Sequence, residues 1–439
     1  MRIASGKHEH SGLLMLLTLL TFVILTLCLM RSSHVVDLLF LHVETKWWHR
    51  LITRPGAAFA TLSLCLTAIR AGLWYLYRPV PTLSETEAPR LTVIIPAYNE
   101  GTMVAKSVDS VIAARYPRDR LEVIVIDDGS TDDTWMHIER AAERHAELVR
   151  TIRFAANRGK RAALAAGFRE ARGDVVVTID SDSVIEPDTL LAMAAPFCDA
   201  RVGAVAGRVA VLNRFAGLIP GMLHVRYALS FDFLRAAQST FGTVYCCPGA
   251  LAAYRMSVVR VVLERWLQQT FLGAVCMIGE DRAMTNFILA ERYDVLYQRT
   301  AVVHTLAPTT YRGLSKMFLR WDRSYIREEF HLARLLPSRP LVSRLFAGLD
   351  LVASNAGYAF GYATLWLVLG VAAHDLRVGE YLLLGIGLGG VMNTLYFLRV
   401  ERSLHCFYGI AYAYYAAFAL AWILPYAALT VRAKGWMTR

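Results

Sequence analysis

Hydrophobic positions fall into two regimes along this chain: long uninterrupted runs towards its ends, and short runs separated by polar turns in its middle. The run LLMLLTLLTFVILTLCLM at 13–30 is uncharged and long enough to cross about 30 Å of hydrocarbon. It exceeds a signal-peptide core and has no small-residue cleavage site before Arg31, so an uncleaved anchor is expected. A second run at about 57–77 contains Arg70, whose charge must face protein or snorkel to the surface. Apolar stretches return at about 347–373, 380–398 and 406–431, which makes five expected spans.

From Pro89 to about Ala307 the pattern is different. LTVIIPAYNE (91–100), LEVIVIDDGS (121–130), ELVRTIRF (147–154) and DVVVTIDSDS (174–183) read as β-strands, the first three each followed by a polar turn and a helical stretch. That spacing predicts βα units and a mostly parallel sheet buried on both faces. Ligands of such sheets bind at the carboxyl ends of the strands. Here those ends carry Asn99 and Glu100, Asp127 and Asp128, and Asp180 and Asp182.

A single aspartate at a strand end often only caps a helix or forms a turn; three strands ending alike favour a site. Asp128-Gly129-Ser130-Thr131-Asp132 suits hydrogen bonds to a nucleotide base or ribose. Asp180-Ser181-Asp182 offers hard oxygens of the kind that bind Mg²⁺ or Mn²⁺ together with diphosphate oxygens. In Asn157-Arg158-Gly159-Lys160-Arg161, glycine permits close approach and the cations suit a diphosphate, a solvated basic turn being the alternative. Gly279-Glu280-Asp281-Arg282 opens a helix. A carboxylate there can take a proton from an incoming hydroxyl, or simply complement the helix N-terminus.

Composition sharpens this picture. Across 439 residues, 55% hydrophobic content and a mean hydropathy of +0.37 exclude an all-soluble assembly. The net charge of +11 fits positive-inside loops, anionic headgroups and anionic substrates, and no nucleic-acid recognition motif accompanies it. Arg2 and Lys7 place the head and the central region in the cytoplasm with 31–56 outside, where Trp47 and Trp48 suit an interface; the tail with Arg432, Lys434 and Arg439 then ends outside, against the charge rule. Seven cysteines, several within apolar runs, imply no disulfide framework, and the adjacent Cys246 and Cys247 suit packing or the wall of a site. Leu314, Met317, Trp321 and Tyr325 recur at helical spacing among Arg312, Lys316, Arg320, Arg323 and Arg327, which predicts an amphipathic helix on anionic lipid. Residues 215–240 predict a second surface helix.

Taken in order, Pro96-Ala97-Tyr98-Asn99-Glu100, Asp127-Asp128-Gly129-Ser130, Gly159-Lys160-Arg161, Asp180-Ser181-Asp182, Gly279-Glu280-Asp281 and Arg320-Trp321 resemble the motifs of processive family 2 glycosyltransferases. The resemblance covers about 90–330 and is strongest to the hyaluronan synthase and rhizobial chitin-oligosaccharide synthase branch, through Asp180-Ser181-Asp182-Ser183, Gly279-Glu280-Asp281 and the stretch from Arg320 to Glu328. It implies a GT-A fold and inversion by direct displacement. It also implies nucleotide or donor binding by Ala97, Tyr98, Asn99, Glu100, Asp128, Lys160, Asp180 and Arg320; a divalent metal, Mg²⁺ or Mn²⁺, on Asp180 and Asp182; Asp281 as base with Glu280 beside it; and an acceptor site at Trp321 and Cys247. Two positions depart from the family. Met317 stands where the family's Q-x-x-R-W motif has glutamine, and Cys246-Cys247-Pro248-Gly249 differs from the glycine-before-proline of that branch.

The expected organisation is therefore an α/β GT-A domain inserted between transmembrane helices. Residues 1–88 hold two spans, 89–306 the cytoplasmic catalytic domain, 307–346 interface helices with the Arg-Trp motif, and 347–439 about three more spans. The resemblance implies a multi-pass enzyme of the cell membrane. It would extend a β-linked polysaccharide containing N-acetylglucosamine from UDP-N-acetylglucosamine, with UDP-glucuronic acid as a second donor if the product is hyaluronan-like, and pass the polymer across the bilayer. The alternatives are single-sugar transfer to a lipid carrier and an inactive nucleotide-binding subunit.

Overall fold

The computed structural model describes residues 55–374 and 376–433. The expected span at 13–30 lies outside the described residues, as do Arg2, Lys7, Trp47, Trp48, Lys434 and Arg439. Among the described residues the chain forms two compact units: one comprises 55–75 with Gly348–Ala421, the other Leu76–Ala347 with 422–433.

The second unit is built on ten strands: β1 (Leu91–Ala97), β2 (Leu121–Asp127), β3 (Val149–Arg153), β4 (Val175–Thr178), β5 (Ser183–Ile185), β6 (Val202–Val211), β7 (Ala252–Arg255), the short hairpin β8 (Thr270–Phe271) and β9 (Ala274–Val275), and β10 (Asp294–Thr305). The helices that matter below are α1 (Pro55–Leu76), α2 (Lys160–Glu170), α3 (Leu218–Tyr227), α4 (Glu280–Ala290), α5 (Tyr311–Leu335), α6 (Leu341–Ala372), α7 (Leu376–Glu401) and α8 (Ile423–Leu429).

Eight strands make one sheet in the order β3-β2-β1-β4-β7-β6-β10-β5. Pairing is parallel from β3 to β4 and between β6 and β10; β7 runs antiparallel to both its neighbours, and β5 antiparallel to β10. All seven residues of β1 are buried, as their unbroken Leu-Thr-Val-Ile-Ile-Pro-Ala run requires of a strand covered on both faces. The register sets Ala97 opposite Asp127, so the polar turns after β1 and β2 emerge side by side. The four strands expected from sequence are present. The antiparallel β7 lies beyond those expectations, because Ala-Ala-Tyr-Arg carries no strand signal of its own.

Two expectations about surface helices change. Segment 215–240 folds as α3, a widened turn at Ala228–Phe233 and a further helix Leu234–Ser239. Met222, Leu223, Tyr227 and Phe233 are buried rather than presented to a surface, while Phe215 and Leu218 are exposed. Helix α5 forms as expected and runs to 25 residues, but it buries Arg323, Arg327, Glu328 and Glu329 with Leu314, Phe318 and Leu332. Two of its expected lipid-facing cations, Arg323 and Arg327, are thus turned inward, where hydrogen bonds and an ion pair meet them.

In the first unit, Arg70 donates to Asp350 Oδ1 and to Ser354 Oγ, both at 2.7 Å, so its charge is answered within the protein. Arg399 lies 4.2 Å over the ring of Trp74, which meets Tyr396 edge-on. Among the described residues one helix is long and apolar enough to cross a bilayer, Leu382–Glu401, or two if Leu404–Leu420 and Ile423–Leu429 form one broken span. The apolar stretch Thr61–Leu76 is shorter, and α6 interrupts its apolar run with Asn355, Tyr358 and Tyr362.

Candidate active site

The carboxyl ends of β1 and β2 are held together by side chains bonding to backbone. Asn99, in the left-handed region at φ 53°, accepts from Thr131 N at 2.9 Å, and its own N–H donates to Ser130 Oγ at 3.0 Å. Thr134 Oγ1 accepts from the N–H groups of Glu100 and Gly101, both at 2.8 Å. Asp128 takes Arg158 N on one carboxylate oxygen at 2.7 Å and Gly159 N on the other at 2.9 Å. Burial raises its pKa, and those two N–H groups oppose the rise. Asp128 is buried, with both carboxylate oxygens engaged by the loop that leads to Lys160.

That loop opens α2 at Lys160, whose ammonium is ion-paired with Asp180 at the end of β4 and lies 3.2 Å from Glu280 Oε1 at the start of α4. Burial pulls the lysine pKa down, but Asp180, Glu280 and Asp281 outweigh it and hold the group charged. Glu280 is buried as well; burial pushes its pKa up, yet Lys160 pulls it below the usual value, with Arg320 adding to the pull. Asp180 is raised by burial and by neighbouring Asp182 despite Lys160. Asp182 Oδ1 accepts from Thr305 Oγ1 at 3.0 Å and Ser183 Oγ at 3.2 Å, which fixes it beside Asp180.

Asp281 follows Glu280. Its Oδ1 accepts from Arg282 N at 2.7 Å and its Oδ2 from Gly249 N at 3.2 Å. Burial and the Glu280 charge raise its pKa, with Lys160 opposing, which makes it a stronger base than an exposed aspartate. Lys160 thus pairs with Asp180 and Glu280, Asp281 lies within its electrostatic reach, and Asp182 stands beside Asp180. The donor set suits a hard divalent cation: two adjacent carboxylates carry excess negative charge, and such ions complete their shell with water and diphosphate oxygens. Among the described residues no group of three or more His, Cys, Asp or Glu side chains is arranged to hold a metal ion by itself.

Gly249, which ends the Cys246-Cys247-Pro248-Gly249 stretch, lies at the junction. A Cβ there would come 2.7 Å from Lys160 Nζ and 3.4 Å from Asp180 Oδ1. A small cavity of about 10 Å³ opens behind it, between Pro96, Tyr254, Trp266 and the charged cluster. The structure places Cys246, not Cys247, against the base: Cys246 Sγ is 3.7 Å from Asp281 Oδ2, while Cys247 is fully buried with its N–H on Thr285 Oγ1. Trp321 packs among aromatic rings, 5.5 Å from Phe318 and 6.3 Å from Tyr227 between centroids. Met317, one turn before it, receives the Tyr227 hydroxyl on its sulfur at 3.9 Å.

A mixed sheet with carboxylates gathered at its strand ends is the frame of a nucleotide-sugar transferase, and comparison with known proteins agrees. The profile described as "Glycosyl transferase family 2" matches residues 92–263. The chain is 32% identical over 296 residues to the hyaluronan synthase of Streptococcus pyogenes, covering 66% of this chain and 70% of that one. It is 29% identical over 352 residues to an N-acetylglucosaminyltransferase of Azorhizobium caulinodans, covering 80% and 87%. Among solved structures, the mannosyltransferase PcManGT from Pyrobaculum calidifontis, in complex with GDP-Man and Mn²⁺, superposes with a TM-score of 0.59 at 23% identity over 83% of this chain and 99% of that chain, a likeness of fold. The chain belongs to glycosyltransferase family 2 and is an enzyme of that family with a GT-A fold.

Proposed function

We propose that this enzyme transfers N-acetylglucosamine from UDP-N-acetylglucosamine onto a growing β-linked polysaccharide at the cell membrane, and that it does so processively and passes the product across the bilayer. The observation that carries the reading is Asp281 within electrostatic reach of Lys160, which pairs with Asp180 and Glu280. The two relatives named above, a hyaluronan synthase and an N-acetylglucosaminyltransferase, support the sugar. The excess of carboxylate supports a divalent cation held by Asp180 and Asp182. That cation would neutralise the leaving diphosphate. The protein's own steps follow from its residues. Lys160 and Arg320 bring positive charge towards the donor, Asp281 takes the proton from the acceptor hydroxyl as the new bond forms at the anomeric carbon, and the Trp321 ring offers a face on which the acceptor sugar stacks. Asp128 acts one step back, by holding the loop that carries Lys160.

Purified enzyme given each radiolabelled UDP-sugar singly and in pairs tests the donor. Label from UDP-N-acetylglucosamine alone entering polymer makes the product chitin-like; a requirement for UDP-glucuronic acid as well makes it hyaluronan-like; incorporation of neither removes the proposal. Asp281→Asn should lower kcat by roughly a thousandfold or more while leaving UDP affinity within a few fold.

A further inference from the structure

The stretch from Ser324 to Glu328 begins three residues after Trp321 but has no part in the chemistry above. In the structure it grips the segment that carries Asp281. Glu328 is wholly buried. Its Oε1 accepts from Arg327 Nε at 2.8 Å and from Gln269 Nε2 at 2.9 Å. Its Oε2 accepts from Asn286 Nδ2 at 3.1 Å and lies 3.4 Å from His331 Nδ1. Asn286 Nδ2 also donates to the Glu328 carbonyl at 2.9 Å. Asn286 belongs to α4, the helix that Glu280 and Asp281 begin. On the other side of the base, Arg327 donates to the carbonyl of Ile278. Between these grips stands Gly279, left-handed at φ 72°, where a Cβ would fall 1.9 Å from Ser324 Oγ. The same cluster reaches the donor side, because Gln269 Oε1 accepts from Arg161, the residue after Lys160, at 3.1 and 3.2 Å.

Buried ion pairs add little net stability over apolar packing, whereas losing one partner leaves a stranded charge. What this cluster supplies is geometry: from a separate helix it fixes the chain at Ile278, three residues before Asp281, and at Asn286, five residues after it. We propose that Glu328, acting with Arg327, is a positioning residue that sets the orientation of Asp281 for proton removal without touching donor or acceptor. The inference rests on Asp281 being the base. Displacing a reacting group by about 1 Å costs up to about a hundredfold in rate, so the effect belongs in kcat.

The test uses the full-length enzyme in detergent, with kcat, KM for UDP-N-acetylglucosamine and UDP affinity measured for Glu328→Gln, Arg327→Lys, Asp281→Asn and the double variant Glu328→Gln/Asp281→Asn. Glu328→Gln is expected to lower kcat about ten- to a hundredfold with KM and UDP affinity within about twofold, and to change nothing further once Asp281 is asparagine, since both act through one group. Arg327→Lys keeps the charge and, even if Glu328→Gln fails to fold, should show a smaller fall with the same kcat-only pattern. Unchanged kcat in either single variant, a loss carried equally by KM, or a full additional fall in the double variant overturns the positioning role. Unchanged kcat in Asp281→Asn alone would instead remove the assignment of the base.

Discussion

Single residues decide whether the cluster can form at all. Gly249 is the clearest case, because a Cβ there would crowd the Lys160 ammonium at 2.7 Å. Gly249→Ala should push that ammonium off Asp180 and raise KM for the UDP-sugar about tenfold or more, read by initial rates across donor concentration. Asp128→Asn is a second case. One of the two N–H groups from Arg158 and Gly159 would then face an amide NH₂, a loss of about 1–3 kcal/mol for a buried donor left unpaired. The expected readout is a lower melting temperature together with weaker donor binding, since the loop carries Lys160. Sequence singles out Asp128 by its place at a strand end, but its partners are backbone groups about thirty residues on, and no spacing rule reveals them.

At the level of elements, α5 is the piece whose role changes most on folding. Its spacing of apolar and basic positions reads as a helix for a lipid surface, yet Arg323, Arg327 and Glu328 turn into the protein. Asp322 is affected as well. Burial raises its pKa to about 6, with Arg226 opposing. A carboxyl whose folded pKa is raised stabilises the fold only where it is protonated. That contribution is complete below about pH 4 and is lost as the pH rises through about 6. Asp322→Asn should therefore raise the melting temperature at about pH 7–8 and leave it nearly unchanged at about pH 4, a comparison that differential scanning fluorimetry can make. Strand β7 shows the converse limit: nothing in Ala-Ala-Tyr-Arg predicts a strand, and it forms because β4 and β6 offer it two edges.

For the whole molecule, the return of the chain at Trp422 matters most. Hydropathy joins 406–431 into one apolar stretch, but residues 422–433 belong with the catalytic unit. Within that unit Trp422 Nε1 donates to the Tyr311 hydroxyl at 2.9 Å, and Arg323 donates to Thr430 Oγ1 at 2.9 and 3.2 Å. Helix α5 is thus braced at its first residue and near its middle by a segment about a hundred residues later. Thr430→Val leaves the buried Arg323 without that acceptor and should cost about 1–3 kcal/mol, seen as a lower melting temperature of the purified enzyme.

The order of short buried strands, the acidic residues at their ends and the long apolar runs were legible without coordinates, because each follows from local periodicity and from where polar side chains can stand in a covered sheet. The family followed from motifs in sequence order. Tertiary structure alone decided which of those side chains meet. Lys160 reaches Asp180 and Glu280 from elements far apart in the chain, Gly249 makes the room, and the pair Arg327 and Glu328 closes on both sides of Asp281. Such contacts depend on how strands order themselves in the sheet and on which helix faces turn inward, and both are settled by packing across the whole chain rather than within any window of it.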